Sequence, residues 1–241
     1  MKLTFAKIAG IITCCLFFLL YSGNADAAVK TWNPAGCASS SWSVGANWSG
    51  GAPGTGDVAT FNGSTSNCPV TINTSIDVQG INIINSYTGT ITQGNGNDVV
   101  LGTGGYSQNA AGSTFTGGGA TSDITINTGG NFSLANGQFT TPGGLFLFYE
   151  NFTVSGGTFT ANSGTISTRL EGGDTQTITG SFTANNFTLY GDICCNSAQV
   201  AIASGTIVTV NGTLTFDDAT SDQFVFLEGP GVIHAKGPII T

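Results

Sequence analysis

Apolar residues alternate with Thr, Ser or Asn in short runs along most of the chain from Val70 onward. The runs include Val70-Thr71-Ile72, Ile76 to Ile83, Thr90-Ile91-Thr92, Asp98 to Leu101, Asp123 to Ile126, Phe152-Thr153-Val154 and Thr158-Phe159-Thr160. They continue through Thr177-Ile178-Thr179, Phe187-Thr188-Leu189, Ile207 to Val210 and Thr213 to Phe216. A two-residue period places apolar side chains on one face and polar ones on the other, as in half-buried β-strands. Gly and Asn turns separate the runs, and no helical period follows the N-terminal leader. The pattern predicts an all-β chain.

Two consecutive stretches superimpose, Asn131 to Thr140 on Asn151 to Thr160. Asn131/Asn151, Phe132/Phe152, Gly137/Gly157, Phe139/Phe159 and Thr140/Thr160 are identical, and Leu134/Val154 is conservative. A period of about 20 residues is the length of one coil of a β-solenoid, in which equivalent residues stack directly above one another. The match predicts a parallel β-helix with Phe132 on Phe152 and Phe139 on Phe159 in one continuous core. It lapses one period later, as it must if turns vary in length while strands stay stacked. An antiparallel sandwich shares the alternation but does not need to repeat.

The N-terminus reads as a secretory leader over residues 1–27. Lys2 and Lys7 precede an apolar stretch from Ile8 to Tyr21, and Ala25-Asp26-Ala27 is a small-x-small cleavage site. Roughly 14 apolar residues are too few to span a bilayer, which takes about 20. Removal of the leader leaves Lys30, Arg169 and Lys236 as the cations. With 12 acids remaining, the net charge is near −9. That excludes nucleic acid and anionic membrane surfaces, which need clustered cations. Charged residues are only 7% of the chain. So polar, uncharged a composition would suit disorder, but disordered chains lack the recurring Phe, Ile, Val and Leu.

Four cysteines outlast the leader. Cys37 and Cys68 bracket the first mature segment, where export would make a bridge available, worth about 3–4 kcal/mol in the chain-entropy model. Cys194 and Cys195 are adjacent and read as buried thiols rather than a strained vicinal bridge. All three tryptophans, Trp32, Trp42 and Trp48, fall within residues 28–69, together with Pro34, Pro53, Pro69 and the glycines between 50 and 56. This segment reads as an N-terminal cap, with residues 70–241 as the coils. Trp32-Asn33-Pro34, then Trp42 to Trp48, Pro53 and Asp57 to Phe61 resemble the N-terminal segment of bacterial secreted, adhesin-like parallel β-helix proteins. Gln176 to Gly180, Asn186 to Leu189 and Val210 to Phe216 are similar to the coil phrases of those proteins. The resemblance implies an extracellular or cell-surface rod with a structural or adhesive role. It also implies further coils or a C-terminal sorting domain beyond Thr241.

Candidate chemistry is sparse. The tryptophans suit either a flat platform for sugar rings or a lid over the exposed end of the core, and the lid is favoured. Gly94 to Leu101 matches part of a calcium-binding nonapeptide repeat, with Asp98 as ligand, but no second copy supplies the other half of such a site. Asp217, Asp218 and Asp222 are the densest acidic cluster, for a cation or for the carboxylates of a polysaccharide hydrolase or lyase. Such an enzyme also needs cations or a base near its carboxylates. Arg169 lies far away in sequence, and His234 and Lys236 are the remaining candidates. No catalytic residue and no cofactor is assigned. Thr-x-Thr pairs at Thr90/Thr92, Thr158/Thr160 and Thr213/Thr215 read as too few and too irregular to order ice or glycan surfaces. The favoured reading is an exported, non-enzymatic surface β-helix, with a glycan or protein ligand and end-to-end self-association as partners. The alternative is a polysaccharide-binding or polysaccharide-degrading β-helix. The final residues read as strand, turn and strand without a polar cap, so Ile239 and Ile240 should be poorly covered.

Overall fold

In the computed structural model, residues 27–170, 175–191, 198–218 and 225–241 are described. The leader up to Asp26, Cys194, Cys195 and Asp222 lie outside them. Within the described residues the chain winds as a parallel β-solenoid of about seven turns. Each coil contributes one strand to each of three faces. The first face stacks Ile124–Ile126, Leu145–Phe148, Thr165–Leu170, Asn186–Gly191, Leu214–Asp218 and Ile239–Ile240. The second stacks Phe132–Leu134, Phe152–Val154, Thr175–Thr179, Ala198–Ile202 and Val225–Glu228. The long strands Ile76–Ile84 and Val99–Gln108 run from the first face into the second, and their pairing shifts register between Val78 and Gly80. The third face holds Val70–Ile72, Thr90–Gln93, Thr114–Thr116, Gln138–Thr140 and Thr158–Thr160 as one sheet. Phe182–Ala184, Ile207–Val210 and Val232–Ala235 form a separate sheet on the same side.

Parallel in-register stacking forces like onto like inside the rod. Phe132 pairs with Phe152, and Phe139 with Phe159, on adjacent parallel strands, as the self-match predicts. Tyr106, Phe132 and Phe152 form one column, with ring centroids 5.3 and 4.7 Å apart and planes within 10°. Phe115, Phe139 and Phe159 form a second, at 4.9 and 5.7 Å. The two columns meet edge to face, as at Phe132 and Phe139. Offset-stacked and T-shaped pairs both suit the ring quadrupole.

Coil length is not constant. The coil that carries Phe132 onto Phe152 is short, whereas a longer one carries Phe187 onto Leu214. Corners absorb the difference while the strands stay in register. Several corners extend the ladder with side chains: Asn131 Oδ1 accepts from the Asn151 N–H, and Asn151 Oδ1 from the Thr177 N–H. Asp98 Oδ1 likewise accepts from the Asp123 N–H, and Asp123 Oδ1 from that of Leu145. Gly137 and Gly157 occupy the same corner with φ of 82° and 69°. A Cβ on Gly157 would stand 2.6 Å from the Gly137 carbonyl oxygen, so this repeat position accepts only glycine.

The Trp-rich segment closes the N-terminal end. Ala28–Thr31 pairs in parallel with Asp57–Asn62, which in turn pairs with residues 80–84. A full rung therefore already lies within the segment read from sequence as the cap. Trp42 N–H donates to the Thr71 carbonyl, extending the third face as well. Cys37 and Cys68 are bridged, with Cα atoms 5.3 Å apart, as the sequence predicts. At the other end Ile239 and Ile240 are 60% and 53% exposed, as the sequence predicts.

The stacked core sets the energetic expectations. Phe132→Ala and Phe152→Ala should each cost about 3–5 kcal/mol in denaturant unfolding, and the double variant should cost less than their sum, because the rings stack on each other. Burial holds the Tyr87 and Tyr106 phenols well above their usual pKa, with Tyr87 O–H donating to the Cys68 carbonyl and Tyr106 O–H to Gln108 Oε1. The unfolded phenol ionises near pH 10 while the folded one does not. Their contribution is therefore complete below about pH 10 and is lost as pH rises above it. The denaturation midpoint should fall between pH 9 and 11, and less steeply in a Tyr87→Phe/Tyr106→Phe variant.

Candidate functional site

Among the described residues, the third face presents the most regular surface. Its inward residues Val70, Ile91, Phe115 and Phe139 are buried. Alternation turns their neighbours outward, and register aligns Thr71, Thr92, Thr116, Thr140 and Thr160 on five consecutive rungs. Thr90, Thr114, Gln138 and Thr158 make a second column beside the first. Rungs are about 4.8 Å apart, and the columns are about 7 Å apart along the strands. β-Branched threonine is stiff at χ1, so the hydroxyls are held in order by the backbone. This corrects the expectation that the Thr-x-Thr pairs are too few and too irregular. Thr213 and Thr215 belong to the first face instead. Thr114 and Thr116 add a further pair of the same kind, and Thr71 and Thr140 join from runs without one.

A mixed column stands on the first face. Arg169 pairs in register with Tyr190, and Tyr190 with Asp217. The Arg169 guanidinium lies 5.7 Å from the Tyr149 ring centroid and 5.2 Å from that of Tyr190. A cation between two aromatic faces gains about 0.5–1 kcal/mol per ring at exposed positions. Arg169 and Asp217, remote in sequence, are thus two rungs apart, on the order of 10 Å by strand spacing. Asp217 itself is exposed, and Asp218 pairs with Gly191 through the backbone.

The remaining sequence candidates serve the fold. Trp32, Trp42 and Trp48 are 0%, 1% and 5% exposed, so no ring face is left for a sugar, and the platform reading is corrected to a lid. Trp48 packs on Trp32 at 5.0 Å, on Trp42 at 4.7 Å and on Phe61 at 5.5 Å. Trp32 Nε1 donates to the Cys68 carbonyl and Trp48 Nε1 to that of Trp42. Buried indoles usually find such partners, and among the described residues Trp42 Nε1 is the one of the three without one. The Asp98 carboxylate accepts the next coil's amide, a ladder role for the residue read as a weak calcium ligand. Among the described residues, no three His, Cys, Asp or Glu side chains gather where they could hold a metal ion. No helix among them is long and apolar enough to cross a membrane. Comparison with protein-family models, with curated proteins and with solved structures finds no match.

The lid geometry sets an outcome for fluorescence. Tryptophan emission from the folded protein should be blue-shifted from that of the unfolded chain, resist acrylamide quenching, and stay unchanged when oligosaccharides are added. Strong quenching in the native state would show indole faces open to solvent and restore the platform.

Proposed function

We propose that this chain is an exported, non-enzymatic β-helix with a structural or adhesive role at the cell surface or outside the cell. The threonine column from Thr71 to Thr160 carries the reading. A rigid rod that repeats one neutral hydrogen-bonding group at strand spacing matches extended, repetitive surfaces and offers many weak contacts at once. The leader and the Cys37–Cys68 bridge support export. The low cation content supports a neutral ligand rather than an acidic one.

Degradation of polysaccharide is the second reading, favoured only by the Arg169–Tyr190–Asp217 column, which brings a cation and a carboxylate to one face. A glycosidase places two carboxyl groups about 5–10 Å apart around the scissile bond, and this column offers one described carboxylate side chain. The purified exported protein should release no reducing ends or unsaturated products from polygalacturonate or alginate. It should instead be retained on insoluble neutral polysaccharide, and lose at least half of that retention when Thr92, Thr116 and Thr140 are all changed to Val. Turnover that disappears in Asp217→Asn would replace the adhesive reading with the enzymatic one.

A further inference from the structure

Among the described residues the third face is broken once, and the break opens onto the core. Thr158–Thr160 ends one sheet and Phe182–Ala184 begins the next, with no ladder between them. The corners explain the gap. Ser155 to Gly157 and Ala161 to Gly164 flank the lower strand, whereas only Gly180-Ser181 and Asn185 flank the upper one. Shorter corners hold Phe182–Ala184 out of line with the strand below. Over this break and the corner beside it, along Thr160 to Ser163, Asn185 and Asn211, lies an open slot of about 600 Å³.

The lining of the slot has a definite chemistry. Phe159 and Phe182 form its floor, with ring centroids 5.4 Å apart at 67°. Phe159 is only half-buried, unlike Phe115 and Phe139 below it in the same column. Thr160, Asn162, Thr183 and Asn185 supply hydroxyls and amides around the floor, and none of the described lining residues is charged. The backbone adds more. Thr158 N–H bonds to the Gly137 carbonyl, and the Thr160 carbonyl accepts from Thr141 N–H, so the ladder groups of these two residues point away from the slot. Alternation turns the amide and carbonyl of Phe159 into it. Asn211 N–H bonds to the Ala184 carbonyl on the far side, so Thr183 turns its amide and carbonyl in from above. Asn185 Nδ2 donates to the Ser163 carbonyl, 2.6 Å away, and clasps one end.

We propose that this slot binds a neutral saccharide, with a sugar ring against Phe159 and its hydroxyls on the facing backbone groups and on Thr160 and Thr183. The proposal rests on the adhesive reading and names the ligand class of that same face. Several features select this chemistry. An apolar floor with a neutral rim of donors and acceptors matches a sugar ring, whose CH face is apolar and whose edge is polar. A uronate or sulfated sugar would surrender hydration without meeting a counter-charge. An added peptide strand does not fit, because Cα atoms of the two strands come within 8 Å, whereas a strand between them needs about 9.6 Å. Thr160 and Thr183 are the lips of the slot, so a chain leaving it would run onto the threonine column below.

The test is calorimetric titration of the purified exported protein with cellohexaose, chitohexaose, maltohexaose, xylohexaose and mannohexaose, and with hexagalacturonate as the acidic control. At least one neutral hexasaccharide should bind with a sub-millimolar Kd, and hexagalacturonate at least tenfold more weakly. Ala161→Trp, which fills the slot, and Asn185→Ala, which removes the clasp, should each weaken binding at least tenfold. Thr125→Val, on the first face and away from both the slot and the threonine column, should change it less than threefold. Native circular dichroism and an unchanged stacking pattern in hydrogen exchange would certify the fold of each variant. Binding that survives both slot variants would sink the slot while leaving the adhesive reading intact. Failure of all five neutral sugars, or a preference for hexagalacturonate, would overturn the saccharide proposal even if the protein is still retained on insoluble surfaces.

Discussion

Every feature of this molecule depends on one constraint, parallel strand pairing that repeats at about 4.8 Å along the rod. At that spacing an inward residue has the equivalent residue of the next coil as its nearest neighbour. Aromatic side chains satisfy this well, because offset rings stack within the same distance. The columns through Phe132 and Phe139 are the consequence. Outside the rod the same constraint gives threonine above threonine, and at the corners Asn above Asn. Neither pattern needs a charged residue. That accounts for a folded chain with so few charges, stabilised by burial and ladder hydrogen bonds.

The self-match between Asn131–Thr140 and Asn151–Thr160 was legible because two successive coils have corners of equal length. Ala135 to Gly137 and Ser155 to Gly157 correspond one to one, so sequence distance and spatial distance coincide there. Elsewhere they part. Thr71, Thr92, Thr116 and Thr140 are direct neighbours, yet the coil from Thr71 to Thr92 is shorter than the two that follow it. A search for a fixed period cannot see such a column. The alternating runs located the strands, and the leftover polar residues located the faces, but only register assembled them. The Trp-rich segment was legible as a lid for a different reason. Three indoles beside an aromatic-rich core have far more apolar surface to bury than a soluble loop can leave exposed.

The functional surface was less legible, for a related reason. Arg169, Tyr190 and Asp217 read as scattered because the coil from Arg169 to Tyr190 is shorter than the one from Tyr190 to Asp217. Tyr149 and Tyr190 carried no motif at all. Their partnership with Arg169 exists only as a vertical relation. In a solenoid, lateral neighbours come from strand alternation and are written in the local sequence. Vertical neighbours come from coil length, which no local window contains.

Corner length thus carries two kinds of information. Where successive corners match, the ladder closes and the surface is a flat repeat. Where they change abruptly, as from Ala161–Gly164 to the single residue Asn185, two strands fall out of line and the core is exposed between them. The aromatic column that elsewhere only stabilises the rod then becomes accessible at Phe159. Such a defect costs ladder hydrogen bonds and the burial of one ring, and the groups left over are those a polar ligand with an apolar face can use. The tryptophans, buried in the lid, cover the end of the core. Among the described residues, one aromatic ring that remains partly open lies at the break in the third face.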